Sequence, residues 1–189
     1  MTPSLLVLGW DVFPLVLLYW LENVVVGGFN VARLLLARPQ DLMYSVGKLF
    51  FIPFFVFHFG MFTLVHGVLV FGLFGAKGTP SFDNIGTLPL AVRTYQLGWG
   101  VLALLVSHGP SFYWNYLQNG EYRRASLHQL MMQPYGRVMV LHFTVLLGGW
   151  IVLTVGSPLL ALVLLVALKT TADVRAHRAE RRKFAAATP

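Results

Sequence analysis

Cysteine is absent from the 189 residues, which excludes disulfides, thiolate metal sites and covalent c-type haem attachment and leaves the redox compartment open. Charge is scarce: 11% of residues are charged and 57% hydrophobic, whereas roughly a quarter are charged in a soluble domain. With a mean hydropathy of +0.68, the chain is expected to have the lipid bilayer as its solvent. Acid is scarcer than base, seven Asp and Glu against fourteen Lys and Arg. The basic residues stand between and after the apolar runs, where they orient helices in a membrane, and form no nucleic-acid footprint. Nucleic acid is therefore not expected as a partner. The Gly-x-Ser-x-Gly pattern of rhomboid-type serine enzymes and the His-Glu-x-x-His zinc motif are both missing. Met1-Thr2-Pro3 brings no basic n-region and no small-residue cleavage site, so no removable signal peptide is expected. No internal repeat or low-complexity stretch is found.

What is present is a series of long apolar runs. At roughly 20 residues per span, they predict an all-α polytopic transmembrane bundle, a single integral domain over 1–189. Five spans are expected at about 11–33, 48–75, 89–118, 136–155 and 159–175, followed by a basic tail over 176–189. Asp11 and Pro14 suit the start of the first helix, and Pro53 lies near the start of the second. Residues 76–88, rich in Gly, Thr, Pro, Ser and Asn, have the composition of a loop. Thr87 and Pro89 then suit the cap and first turn of the third helix. Ser126 and Gln129 have capping-box spacing, which predicts a short interfacial helix ending before Pro134.

Arginine and lysine placement orients the bundle. A cytoplasmic C-terminus puts Arg33, Arg38, Lys48, Arg123, Arg124, Arg137, Lys169, Arg175, Arg178, Arg181, Arg182 and Lys183 inside and leaves Lys77 and Arg93 outside. With five spans the N-terminus is then external. The expected location is a prokaryotic cytoplasmic membrane.

Ionisable groups inside spans cost about 2.5–3.5 kcal/mol each on insertion scales and usually face the bundle interior. Asp11, Glu22 and Arg33 recur every eleven residues, which at about 100° per residue makes one stripe on the first helix. His58 and His66 stand about 12 Å apart along the second, too far to bind one ion together. His108, Ser111 and Asn115 share a face of the third, beside Gly109-Pro110, where a bend would free carbonyls. His142 lies in the fourth, and Lys169, Asp173 and His177 form an i+4 stripe on the fifth.

Counted from the expected cytoplasmic boundaries, Glu22, His58 and His108 lie at roughly 15 Å, His142 and Lys169 at roughly 9 Å, and His66 and Asp11 at roughly 27–33 Å. Glu22, His58, His108 and His142 are thus the expected ligands of a divalent metal, zinc, iron or manganese. Lys169, Asp173 and Asn115 are the expected catalytic groups behind them. Against this stands the ordinary reading: a lone histidine in a span is more often a hydrogen-bonded packing residue, and Glu22 is equally served by an ion pair with Arg33 or Lys169 or a bond to Asn30. The glycines beside His58, His66 and His108 equally serve close helix packing.

Several local patterns lie along most of the chain: Tyr19-Trp20-Leu21-Glu22-Asn23 with Phe29-Asn30, His58-Phe59-Gly60, His66-Gly67, Ser107-His108-Gly109 with Ser111-Phe112 and Asn115, Gly120-Glu121-Tyr122, and Pro134-Tyr135-Gly136-Arg137 with His142. Together they resemble a prokaryotic family of small multi-pass membrane proteins catalogued only as a domain of unknown function. The resemblance implies a family pattern at these positions and no activity. Three rivals to a metalloprotein, enzymatic or otherwise, remain open on the residues: an ion or proton transporter using the polar ladder, a bis-histidine haem protein, and a silent subunit of a homo-oligomer or larger membrane complex.

Overall fold

The computed structural model describes residues 12–38, 42–75 and 80–156, with isolated positions between 160 and 174. All regular structure among the described residues is helical. Three helical segments are long and apolar enough to cross a membrane, with mean hydropathies of 1.7, 2.0 and 2.2, and a bent pair makes a fourth if it counts as one span. The expected fifth span lies largely outside the described residues, although the described positions within it are helical.

The first helix, α1, spans Val12–Leu36. Val16, Trp20, Asn23, Gly27, Asn30 and Leu34 are buried on it at three- and four-residue steps, the spacing of one helix face. Its last carbonyls lack intrahelical donors, and Lys48 supplies them: its Nζ donates to Leu35 O at 2.9 Å and to Ala37 O. This bond explains a correction. The second helix, α2, spans Leu42–Phe74 and begins six residues before Lys48, the expected boundary, because that lysine caps a neighbour from inside its own helix.

Helices α1 and α2 run antiparallel and close together. Trp20 Nε1 donates to Thr63 O at 2.7 Å, and a Cβ placed on Gly67 would stand 2.8 Å from Trp20 Cζ2. Of the three glycines beside histidines, Gly67 is therefore a packing glycine. Gly60 and Gly109 face no atom within 4 Å.

The expected continuous third helix is instead broken. After a short helix α3, Phe82–Ile85, α4 spans Leu88–Thr94 and α5 spans Gly98–Ser111, bent by 98° at the break. Thr87 and Pro89 do begin α4, but the Thr87 hydroxyl donates backward to Asn84 O at 2.6 Å. The break is a Schellman ending in which Gln96, at φ +52°, takes the left-handed position that glycine usually fills. Leu97 N–H bonds Val92 O at 2.9 Å and Gln96 N–H bonds Arg93 O at 3.2 Å, the paired bonds of that motif. Helix α5 carries Pro110 without stopping and passes into a π-helical segment, Phe112–Gln118, whose end Asn119 N–H bonds Trp114 O five residues back.

Beyond a 3₁₀ turn at Glu121–Arg123, α6 spans Leu127–Met132 and α7 spans Tyr135–Val155. Ser126 sits at the N-cap of α6, but its side chain makes no capping bond, so the expected capping box is not closed. Pro134 does not separate the two helices widely. They form one apolar stretch, Leu127–Val155, long enough to be a span by itself.

Buried apolar residues fall into two clusters. One holds Phe13, Val16, Leu17, Val70, Phe71 and Val145, and the other Leu34, Phe55, Phe59, Tyr116, Leu130 and Val138. Between them along α1 and α2 lie buried Glu22, Asn23, Asn30, Thr63 and His66. The outward faces are greasy: Leu49 is 80% exposed and Trp99 78%. Patches of that kind are rare on soluble monomers.

Candidate functional site

The polar layer is assembled by α1, α2, α5 and α7, and it pairs the sequence candidates differently from expectation. Glu22 accepts from Arg137 Nη1, joining the middle of α1 to the first turn of α7. The expected pairing partners Arg33 and Asn30 are not the ones that hold it. His58 Nδ1 lies 2.7 Å from Tyr135 Oη, and its ring stacks on Phe54 at 5.3 Å. His66, 2% exposed, lies with Nε2 3.0 Å from His142 Nδ1.

This last pair corrects the depth argument. His66 and His142, expected about 20 Å apart in level, sit side by side because α2 and α7 run parallel in matched register, His58 beside Tyr135 and His66 beside His142. Placing the boundary of the fourth span at Gly136 set its zero too high. Continuous with α6, the span starts at Leu127, nine residues earlier, and α2 starts at Leu42, six before Lys48, so the two counts never shared a zero.

His108 lies apart from the histidine pairs, near enough to Glu22, Arg137 and Arg33 to feel their charges. Its ring lies 6.3 Å from Phe29, and it lines a cavity of about 370 Å³ between α1, α5 and the start of α7. Among the described residues no group of three or more His, Cys, Asp and Glu is placed to hold a metal ion. Asn115 is not in the cavity wall itself; its Nδ2 donates at 3.3 Å to Oγ of Ser111, which is. Lys169 and Asp173 lie outside the described residues.

The cavity itself is lined by Asn30, Arg33, Ser107, His108, Ser111, Gln133 and Arg137 among its polar residues, with no described carboxylate. Donors exceed acceptors. Arg33 Nη1 donates to Gln133 Oε1 at 3.1 Å, its guanidinium lies 5.7 Å from the Tyr116 ring centre, and it forms no ion pair with a described residue. Among the described residues Arg33 Nε and Asn30 Nδ2 are buried with no hydrogen-bond partner, and Asn30 is only 3% exposed. A buried donor without a partner costs about 1–3 kcal/mol, and both residues belong to the wall of this cavity.

Arg137, Gln133 and Asn30 had no assigned role in the metal set. The available signals were Asn30 and Arg33 three residues apart on one helix face and Arg137 in the Pro134-Tyr135-Gly136-Arg137 pattern. Sequence alone does not bring them to one wall.

A family model described as a family of unknown function (DUF6498) matches residues 4–189, and the chain belongs to that family. Searches of curated proteins and of solved structures give no match.

Proposed function

We propose that this member of a family of unknown function is a multi-pass membrane protein that binds the anionic group of a small molecule or lipid in the cavity between α1, α5 and α7. The observation that carries the reading is the surplus of donors there: two guanidiniums, Arg33 and Arg137, with Asn30 and no described carboxylate in the wall. Guanidinium bonds to phosphate or carboxylate are charge-assisted and bidentate, and a low-dielectric surrounding strengthens them. A volume of about 370 Å³ falls in the range of small-molecule sites. His108 adds an imidazole suited to hydrogen-bonding or proton exchange with the bound group.

Arg33 in the cavity wall belongs to the end of α1 that Lys48 caps, the end where Arg38 N–H bonds Tyr122 O at 2.8 Å. Arg93 belongs to the opposite end, on the helix leading to Tyr95 beside Phe13. Positive-inside placement then makes the cavity end cytoplasmic, in a prokaryotic cytoplasmic membrane.

The test uses the full chain in mild detergent, titrated calorimetrically with inorganic phosphate, pyrophosphate and short-chain phosphatidic acid, with short-chain phosphatidylcholine as control. Saturable binding is expected for at least one anion, weakened about 10- to 100-fold in Arg33→Gln and in Arg137→Gln. Binding of pyrophosphate but not phosphatidic acid identifies a soluble ligand, and the reverse identifies a lipid. No saturable binding, or binding indifferent to both arginines, overturns the reading. So does stoichiometric zinc, iron or manganese in chelator-free protein that is lost on His58→Ala and His108→Ala.

A further inference from the structure

A second polar cavity, of about 280 Å³, lies against the first on the side of the 3₁₀ turn and α6, and the two share Arg33 and Gln133 in their walls. Those two residues are hydrogen-bonded to each other at 3.1 Å. The second cavity adds Arg124, opposed by Glu121, together with Asn119 and Ser126. The residues common to the two walls are thus a guanidinium and a neutral amide joined by one hydrogen bond.

The two ends of that bond are held differently. The backbone of Arg33 is fixed, since Tyr116 Oη donates to its carbonyl at 2.6 Å while the Tyr116 ring lies beneath the guanidinium. Its head is held by one hydrogen bond to a described residue, the one to Gln133, with Nε buried and unbonded among the described residues. Gln133 sits at the joint of α6 and α7, just beyond the last residue of α6 and before Pro134. A hydrogen bond to a neutral amide is roughly half as strong as one to an anion, so an arriving anion displaces the amide from Arg33.

We propose that the second cavity is the entry subsite for the anion bound in the first, and that exchange of the Arg33 partner from Gln133 to the ligand opens the passage between them. This rests on the anion reading of the first cavity. Arg124 and Arg33 capture the anion, Arg33 carries it across the partition as its head turns, and Arg137 and His108 receive it. The chemistry recognised is a phosphate or carboxylate small enough to pass a side-chain partition.

The full chain in nanodiscs of phosphatidylcholine, immobilised for binding kinetics, tests this with whichever of pyrophosphate or short-chain phosphatidic acid binds wild type. Gln133→Ala removes the partition bond and should raise association and dissociation rates about tenfold. Gln133→Glu holds Arg33 with a charge-assisted bond and should slow association. Arg124→Ala should also slow association, and all three variants elute and melt as folded proteins if the test is valid. Rates unmoved by Gln133→Ala and Arg124→Ala, with binding still lost in Arg137→Gln, overturn the two-step path and leave the first cavity as the site. Absence of wild-type binding to either probe overturns the anion reading beneath it.

Discussion

His66 and His142 form an imidazole–imidazole hydrogen bond whose direction is set by a third group. His66 Nδ1 lies 2.6 Å from Phe62 O, and its Nε2 lies 3.0 Å from His142 Nδ1. A carbonyl only accepts, so His66 carries its proton on Nδ1 and offers a lone pair from Nε2, and His142 donates from Nδ1. The basic position of His142 is then Nε2. Nitrogen NMR of histidine-labelled protein should show both rings as Nδ1–H tautomers. His142→Phe leaves His66 Nε2 buried and unsatisfied and should cost about 1–3 kcal/mol of stability in thermal or SDS unfolding. The double variant with His66→Phe should cost less than the sum of the two singles. Additive losses would show that the rings do not act as a pair.

Glu22 and Arg137 form the ion pair that ties α1 to α7, with side-chain exposures of 11% and 47% respectively. Its weight lies between an exposed pair at about 0–1 kcal/mol and a buried one, whose breaking costs about 3–5 kcal/mol. Arg137→Gln takes a counter-charge from the more buried member of the pair, whereas Glu22→Gln leaves an arginine that already reaches solvent, so the first should destabilise more than the second. Glu22→Gln combined with Arg137→Gln should recover much of the lost stability while leaving anion binding absent. That split between stability and binding, read by unfolding and titration on the same samples, separates a structural from a ligand-holding role for Arg137.

Gly67 and Gly60 are the sharpest contrast in the second helix. A methyl at Gly67 meets Trp20 and forces its ring away from the Thr63 carbonyl, whereas one at Gly60 meets nothing within 4 Å. Gly67→Ala should lower the melting temperature. Gly60→Ala should hold or raise it, gaining the roughly 0.5–1 kcal/mol that glycine loses inside a helix. Equal effects from the two would show that α1 and α2 do not approach so closely.

Ser81 and Asn119 bracket the bent pair of α4 and α5. The chain has no native cysteine, so Ser81→Cys and Asn119→Cys each report one site with a membrane-impermeant maleimide. Labelling from opposite sides is expected, with Ser81 outside, and makes the bent pair a true span. Labelling of both from one side makes it a re-entrant hairpin and leaves three spans among the described residues.

The local chemistry of the chain determined a good deal by itself. Runs of Leu, Val and Phe with few charges compel helices, since a backbone in lipid must satisfy its own hydrogen bonds. Pro89 in the first turn of α4 and the joint before Tyr135 were both legible as helix starts; Asp11, expected at the start of the first helix, lies outside the described residues. The inward placement of Glu22 and His66 followed from the cost of leaving such groups in hydrocarbon. The break at Gln96 was not legible, because the left-handed residue that ends α4 is not the glycine that usually announces it.

Partners were decided only by tertiary structure. Arg137 meets Glu22 across 115 positions and His142 meets His66 across 76. Helix rise gives a level only relative to a chosen boundary, and nothing local says whether Lys48 marks the end of its own helix or caps another. The relative slide of α2 and α7 is fixed by which side chains fit between them. That packing put His66 beside His142 and His58 beside Tyr135, left His108 on the wall of the basic cavity, and replaced four converging ligands with separate pairs.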